Sequence, residues 1–346
     1  MRVRYLLAVL TVVNCGGLMG QPSRTGRAIS LVLFGDVNLG RMVGQELLRG
    51  DTGYPFRKVV DTLSRGDVVF VNLESQLSDQ DGETQHPKHN LIFTGPPSGA
   101  TSLRQANVSV VSTANNHAFD YGMRALRETI VHLQGTGVQV VGTSFDSVAG
   151  SIPAIVEREG IRIGFLAYAQ FVNMSGPWAG RIALYDSMQC RRDIEQLRPG
   201  VDLVVVSYHG GVEYTDSPSS KLRMELRALI DAGADVVVGH HPHYVQGVES
   251  YNGKLIFYSL GNFVFYQPQR DLAMVGLGVN LSVVRSGGKL SVKTARLMAL
   301  RAGLQPAFTL TKAEEESFFQ RLRKLSPASI EQTEGAWFVN LQHTHD

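Results

Sequence analysis

The chain has 346 residues, room at roughly 100–200 residues per domain for two ordinary domains or one large α/β unit with an appendage. Hydrophobic residues make up 43% and charged residues 18%, a composition that builds a sizeable core and excludes a disordered chain. Lys plus Arg (33) against Asp plus Glu (31) leaves a formal charge of +2, too balanced for a nucleic-acid partner recruited by charge, and the two cysteines exclude a disulfide scaffold or a cysteine-built zinc module.

At the start of the chain, Arg2 and Arg4 precede an apolar run over 5–13, and Gly16 and Gly17 follow it. That is the charged, apolar, small-residue order of a secretory signal, and the run is shorter than the roughly 20 residues of a spanning helix. Val12-Val13-Asn14-Cys15 is similar to a bacterial lipobox with an atypical Asn before the Cys. Segment 1–15 is therefore expected to be cleaved or lipidated, 16–27 to be a tether, 28–300 to be the folded domain and 301–346 a charged helical tail. The expected address is the cell envelope or periplasm, with the protein held to the membrane by an N-terminal lipid or helix.

From residue 29 onward, short Val- and Ile-rich runs alternate with longer amphipathic stretches, the pattern of strands buried on both faces and joined by crossover helices. Strands are predicted over 29–34, 68–72, 108–113, 138–141, 163–168, 203–208, 236–239 and 255–259, and helices over 44–48, 98–105, 124–133, 188–197 and 219–232. Runs at 276–284 and 289–297 flank Ser286-Gly287-Gly288 and predict a hairpin, which makes the sheet mixed. Within the tail, 312–325 is predicted helical.

The polar residues fall where strands end: Phe34-Gly35-Asp36-Val37-Asn38, Val71-Asn72-Leu73-Glu74, Ala114-Asn115-Asn116-His117, Ser207-Tyr208-His209-Gly210 and Gly239-His240-His241-Pro242-His243. The carboxyl ends of strands in an open α/β sheet form the crevice where ligands bind, so these clusters are expected to meet. Carboxylates, an Asn oxygen and neutral imidazoles in one cleft are the donor set for Zn, Mn or Fe, and the lack of Cys donors favours a catalytic over a structural site. Taken singly, Asp36 reads equally as a helix cap. His86 and His89 follow no strand and read as exposed loop residues, His132 as a helix-surface residue, and His343 and His345 as part of the terminus. Trp178 either lines the cleft or covers the core.

Those clusters, extended to Gly35-Asp36-Val37-Asn38-Leu39-Gly40-Arg41, Asn72-Leu73-Glu74, Ala114-Asn115-Asn116-His117-Ala118-Phe119-Asp120-Tyr121-Gly122, Tyr208-His209-Gly210-Gly211-Val212-Glu213-Tyr214, Gly239-His240-His241-Pro242-His243 and Tyr258-Ser259-Leu260-Gly261-Asn262-Phe263, resemble the capsule-synthesis CapA family. That family is associated with poly-γ-glutamate capsule production and resembles the calcineurin-like metallophosphoesterases. The resemblance implies a four-layer αββα sandwich with mixed sheets and a cleft for one or two divalent metals. It places Asp36 as the first acid, Glu74 as the bridging acid, Asn116 and His117 on the Asn-His pair, and His209 as the isolated histidine. The last histidine pair comes from His240, His241 and His243; an extra residue after Gly239 leaves open whether His240 or His241 pairs with His243. His117 is expected to protonate a leaving group, with Asp120 and Arg41 beside it as catalytic residues. The bland alternatives are a helix-start acid and a surface or ion-pairing arginine. Asn38, Arg41, Glu213 and Asn262 are expected to face the substrate, Arg41 through a bidentate contact to carboxylate or phosphate; segment 259–263 reads equally as a plain turn.

The chain departs from the phosphoesterase pattern where Asn38 stands in place of a histidine ligand and Glu74 in place of the bridging Asp. Phosphatase activity therefore does not carry over. Two functions remain: a metal-dependent hydrolase acting on an anionic envelope polymer, peptide or phosphoester, or a non-catalytic partner of a capsule-synthesis membrane complex that binds polymer or metal. The N-terminal reading has its own test. Cys15→Ser should move the protein out of the membrane fraction; unchanged membrane partitioning would refute lipidation at Cys15.

Overall fold

The structure is a computed structural model that describes residues 27–145, 151–286 and 289–341. The N-terminal signal and lipobox reading, the Gly287-Gly288 turn, and His343 and His345 lie outside the described residues. In chain order the elements are β1 (Ile29–Val37), α1 (Arg41–Leu48), α2 (Val60–Leu63), β2 (Val68–Leu73), β3 (Gln76–Leu77), β4 (Thr94–Gly95), α3 (Ser98–Gln105), β5 (Val110–Ser112), α4 (Gly122–Gly135) and β6 (Gln139–Val141). There follow β7 (Ala154–Arg158), β8 (Ile161–Ala169), α5 (Ser187–Leu197), β9 (Leu203–His209), α6 (Ser220–Asp231), β10 (Val236–His240), β11 (Val248–Tyr251), β12 (Lys254–Phe257) and β13 (Asn262–Val264). The chain closes with β14 (Val275–Ser286), β15 (Lys289–Arg301), α7 (Lys312–Leu325), β16 (Ile330–Thr333) and β17 (Ala336–Val339).

Two sheets form. One runs β16-β17-β15-β14-β1-β2-β5-β6, with β13 also paired to β1; the other runs β11-β12-β10-β9-β8-β7. Period-2 alternation decides what each face meets. Leu31 and Leu33 of β1 and Phe70 of β2 point at Phe165, Val205 and Val238 of the second sheet, forming the core between the sheets. Their alternates Val32, Phe34, Val69 and Val71 pack against Val43, Leu47 and Leu103 of α1 and α3. On the far side Leu166, Val204 and Val206 meet Ile194 of α5 and Leu226 of α6. The result is the four-layer αββα sandwich, and strands covered on both faces explain the unbroken apolar runs in the sequence.

The order of central strands sets the site. β1 is parallel to β2 with Asp36 beside Asn72, and parallel to β13 with Asp36 beside Asn262. In the second sheet, β9 and β10 are parallel with His209 beside His240. Backbone closeness holds β1 to the segment before β13. A Cβ on Gly35 would lie 1.8 Å from the Gly261 carbonyl oxygen, and Gly261 itself has φ +66°. Only glycine satisfies both positions.

The tail differs from its expectation. Residues 312–325 are helical as predicted, but β16 and β17 extend the first sheet beyond residue 300, and Trp337 stacks on Phe319 of α7 at 4.4 Å. Strands of four or five residues carry too little alternation to stand out in sequence, and the same holds for β7 and β11. Among the described residues no helix is long and apolar enough to cross a membrane.

Gly35→Ala should lower the unfolding free energy by about 1–3 kcal/mol or more, because the methyl group overlaps backbone that cannot yield. Gly200→Ala, where nothing lies within 4 Å of the added carbon, should stay within about 0.5 kcal/mol. Urea titration of the two variants checks the contrast; equal midpoints would show that the β1 crossing is not tight.

Candidate metal centre

Each polar cluster sits where its strand stops. Asp36 is near the end of β1, Glu74 follows β2, and Asn115-Asn116-His117 follow β5. His209 and His240 are the last residues of β9 and β10, and His241 and His243 lie in the turn beyond. Asn115 shapes its own turn by accepting from the His117 N–H at 3.1 Å while donating to the Leu73 carbonyl at 2.8 Å. Both sheets thus deliver side chains to one point between them.

Two groups of potential ligand atoms result, Glu74–His209–His241 and Asp36–Glu74–His243, with the atoms of each group within 4.8 Å of one another. Glu74 belongs to both. Asn116 Oδ1 lies 2.7 Å from His209 Nε2 and so borders the first group. Asn72 donates to Asp36 Oδ1 at 2.9 Å and touches His209 Nδ1 at 3.1 Å. Asp36 and Glu74 are 0% exposed, yet neither Glu74 oxygen has a hydrogen-bond partner, nor does His241 Nδ1. Buried polar atoms are ordinarily satisfied, so this set of unpartnered donors to a cation fits a divalent metal site.

The electrostatics agree. Burial, followed by the charges of Asp36, Glu213 and Asp120, pushes the Glu74 carboxyl well above the usual range. Burial works the same way on Asp36, but contacts from His240 and His243 outweigh it and hold that carboxyl well below the usual range. His209 is driven well down by burial and the neighbouring imidazoles, and His241 falls to about 3 by burial and the charge of His243. Neutral imidazoles are the ligating form.

His117 stands at the cleft side of the centre, its Nε2 3.9 Å from Glu74 Oε1. Asp120 Oδ2 accepts from the Phe93 backbone N–H at 3.1 Å and lies 2.8 Å from His117 Nδ1. An accepting carboxylate oxygen makes Nδ1 the donor and leaves Nε2 as the reactive nitrogen. Phe93 lies over the imidazole at 4.2 Å, and the Arg41 guanidinium lies 4.6 Å from the same ring while donating to the Asn90 carbonyl at 2.6 Å. Burial lowers the Arg41 pKa against the pull of Glu74, Tyr214 and Asp120. Arg41, Tyr214, His241 and His243 all have positive φ, of 51°, 58°, 95° and 59°. Non-glycine residues in that region cost of order 1–3 kcal/mol each and cluster at functional sites.

Several sequence expectations change. His241, not His240, joins Glu74 and His209; His240 stands outside both groups with its Nδ1 3.3 Å from Asp36 Oδ1. Asn262 does not face the substrate. It is buried, its Oδ1 meets His243 Nδ1 at 2.9 Å, and its Nδ2 donates to Gln267 and the Ala273 carbonyl. Asn38 is committed to a tight turn through the Gly40 N–H at 2.8 Å, with its Nδ2 buried and unpartnered. Arg41 is neither surface-exposed nor ion-paired; it lies against aromatic rings. Glu213 is exposed on the cleft rim. Trp178 packs against Phe119 and Ile182 and donates to the Met174 carbonyl at 2.8 Å, so it supports the cleft wall from behind.

The cleft of about 520 Å³ has at its base Asn116, His117, Asp120 and His241, and its walls are residues the sequence did not single out. Lys88–Ile92 form one side, and Phe171, Asn173 and Met174 another. His89 is an exposed loop residue as expected, but its loop borders the centre. No strand precedes it, so position alone carried no signal.

Comparison with known proteins settles the family. Residues 30–267 match the family described as bacterial capsule synthesis protein PGA_cap. The chain belongs to that family. It is 32% identical to the capsule biosynthesis protein CapA of Bacillus anthracis over 78% of this chain and 68% of the relative. It is also 32% identical to the PGA biosynthesis protein CapA of Bacillus subtilis, over 71% of this chain and 67% of the relative. Among solved structures, the calcineurin-like phosphoesterase YfkN of Bacillus subtilis aligns over 87% of this chain and 99% of its own with a TM-score of 0.46 and 13% identity. A likeness at that level carries no argument about chemistry, which rests on this chain's own residues.

The buried histidines give the metal-free protein a pH dependence. An unfolded imidazole takes its proton near 6.5, whereas His241 in the fold waits until about 3. Between those values the unfolded state binds more protons, so stability falls as pH falls, and His209 acts in the same sense. Glu74, whose pKa is raised, acts in the opposite sense. In urea titrations across that window His241→Gln should lose stability less steeply than the unmodified protein; parallel curves would show that His241 is not held neutral.

Proposed function

We propose that this protein is an exported, metal-dependent hydrolase-type component of poly-γ-glutamate capsule synthesis, acting beside the polymer machinery on an anionic polymer or peptide. The observation that carries the reading is Glu74, buried without a hydrogen-bond partner and common to two groups of ligand-type side chains. Glu74, His209, His241 and Asn116 would hold one cation and Asp36, Glu74 and His243 a second, with Mn, Zn or Fe suited to that mixture of oxygen and imidazole donors. A bound divalent cation supplies Lewis-acid polarisation of a carbonyl or phosphoryl oxygen.

The remaining work falls to the chain. His117 lines the cleft while Asp120 fixes the ring by holding Nδ1–H; in the imidazolium form Nε2 also carries a proton and would pass it to a leaving group, returning the ring to its neutral form. Phe93 fixes the ring plane. Leu91, Ile92, Phe171 and Met174 supply an apolar wall to the cleft. Asn38 favours the second reading, a polymer-binding partner without turnover: its side-chain oxygen is used in the Gly40 turn, so the Asp36 group has one imidazole where phosphoesterases have two.

Chelation should abolish hydrolysis of a poly-γ-glutamate substrate and added Mn²⁺ or Zn²⁺ should restore it. His117→Ala should keep its metal, by elemental analysis, while losing about 10²–10⁴-fold in turnover. Glu74→Gln should lose metal and turnover together. Polymer binding without metal-restored turnover would establish the partner reading instead.

A further inference from the structure

We infer that Asn262 is a positioning residue that fixes the ring tautomer of His243 and so presents His243 Nε2 to the metal centre; this rests on the metal reading above. Ala273 C=O can only accept, so the Asn262 atom 3.0 Å from it is the amide nitrogen. The same nitrogen donates to Gln267 Oε1 at 3.0 Å, and Gln267 is in turn oriented by donating from its Nε2 to the Tyr214 hydroxyl at 3.0 Å. With Nδ2 committed twice, Asn262 presents Oδ1 to His243 Nδ1 at 2.9 Å.

That contact makes His243 Nδ1 the protonated nitrogen and leaves the lone pair on Nε2, the atom 3.9 Å from Glu74 Oε1. Asp36 Oδ2 also faces Nδ1, but at 3.3 Å, and Asp36 is one of the residues offered to the cation. Asn262 is the nearer partner and the one with no other task. Its backbone is equally fixed: it pairs beside Asp36 in the β1–β13 register, and a Cβ on Gly276 would lie 2.0 Å from its carbonyl oxygen. Tyr214 lies 5.7 Å from the imidazole, and the Arg270 guanidinium lies 3.8 Å over the Tyr214 ring. A residue of β13, held by the segment that follows it, thereby sets which nitrogen of His243 can bind metal.

The test uses the full chain, metal-free, with ¹⁵N-labelled histidine; the His243 signal is assigned by its loss in His243→Gln. The unmodified protein should show His243 protonated at Nδ1 and bare at Nε2. Asn262→Asp keeps an acceptor and should keep that pattern. Asn262→Leu should shift it toward Nε2–H and weaken Mn²⁺ binding, by titration calorimetry, about 10–100-fold, the usual cost of losing a group that orients a ligand. Gln267→Met removes one acceptor of the Asn262 amide but leaves the Ala273 carbonyl that orients it, and should keep the pattern. His243 carrying its proton on Nε2 in the unmodified protein would overturn the inference, as would an unshifted pattern in Asn262→Leu. If the nitrogen pattern responds as expected while no variant and no unmodified protein binds Mn²⁺ or Zn²⁺, the positioning role stands and the metal reading fails.

Discussion

Two fully buried carboxylates, Asp36 and Glu74, share one centre, and everything around them follows from the need to neutralise that pair. An unpaired buried charge costs several kcal/mol even after relaxation. Asp36 is offset by a hydrogen bond from Asn72 and by its histidine contacts; Glu74 has no hydrogen-bond partner and meets histidines only at 3.7–3.9 Å, and burial drives it toward the protonated form. Strand ends arranged in this way leave a buried acidic centre that a cation would complete.

The backbone is shaped to the same end. Gly35 and Gly261 let two chain segments touch where a side chain would not fit, which sets Asp36 and Asn262 side by side. Just beyond the strands, Arg41, Tyr214, His241 and His243 adopt left-handed backbone conformations that ordinary residues avoid. The sandwich core over-determines these positions, with Phe34 stacked on Phe263 at 4.2 Å beneath the β1–β13 pair.

The extra residue in Gly239-His240-His241-Pro242-His243 has a structural explanation. His240 is the last residue of β10, paired in register with His209 of β9, and the chain turns away at His241 with φ of 95°. The turn, not the strand, sends His241 to Glu74. His240 stays in the sheet, where it lowers the Asp36 pKa without joining either group.

The sequence by itself determined the alternation of buried strands with helices, the mixed character of the first sheet, and the residues whose strand-end positions carry Asp36, Glu74, Asn116, His117, His209 and His243 to one centre. Those are local properties: apolar runs and the chemistry of the residue that ends them. Only the tertiary structure set His241 beside Glu74 and His209 and His240 beside Asp36, because a one-residue choice depends on where a strand stops hydrogen bonding. It alone turned Asn262 from a candidate substrate contact into a partner of His243, since the Ala273 carbonyl that orients it is eleven residues away. It also placed Lys88–Ile92 on the cleft and β16–β17 in the sheet, contacts made by packing between distant segments, for which neither periodicity nor motif spacing leaves a trace.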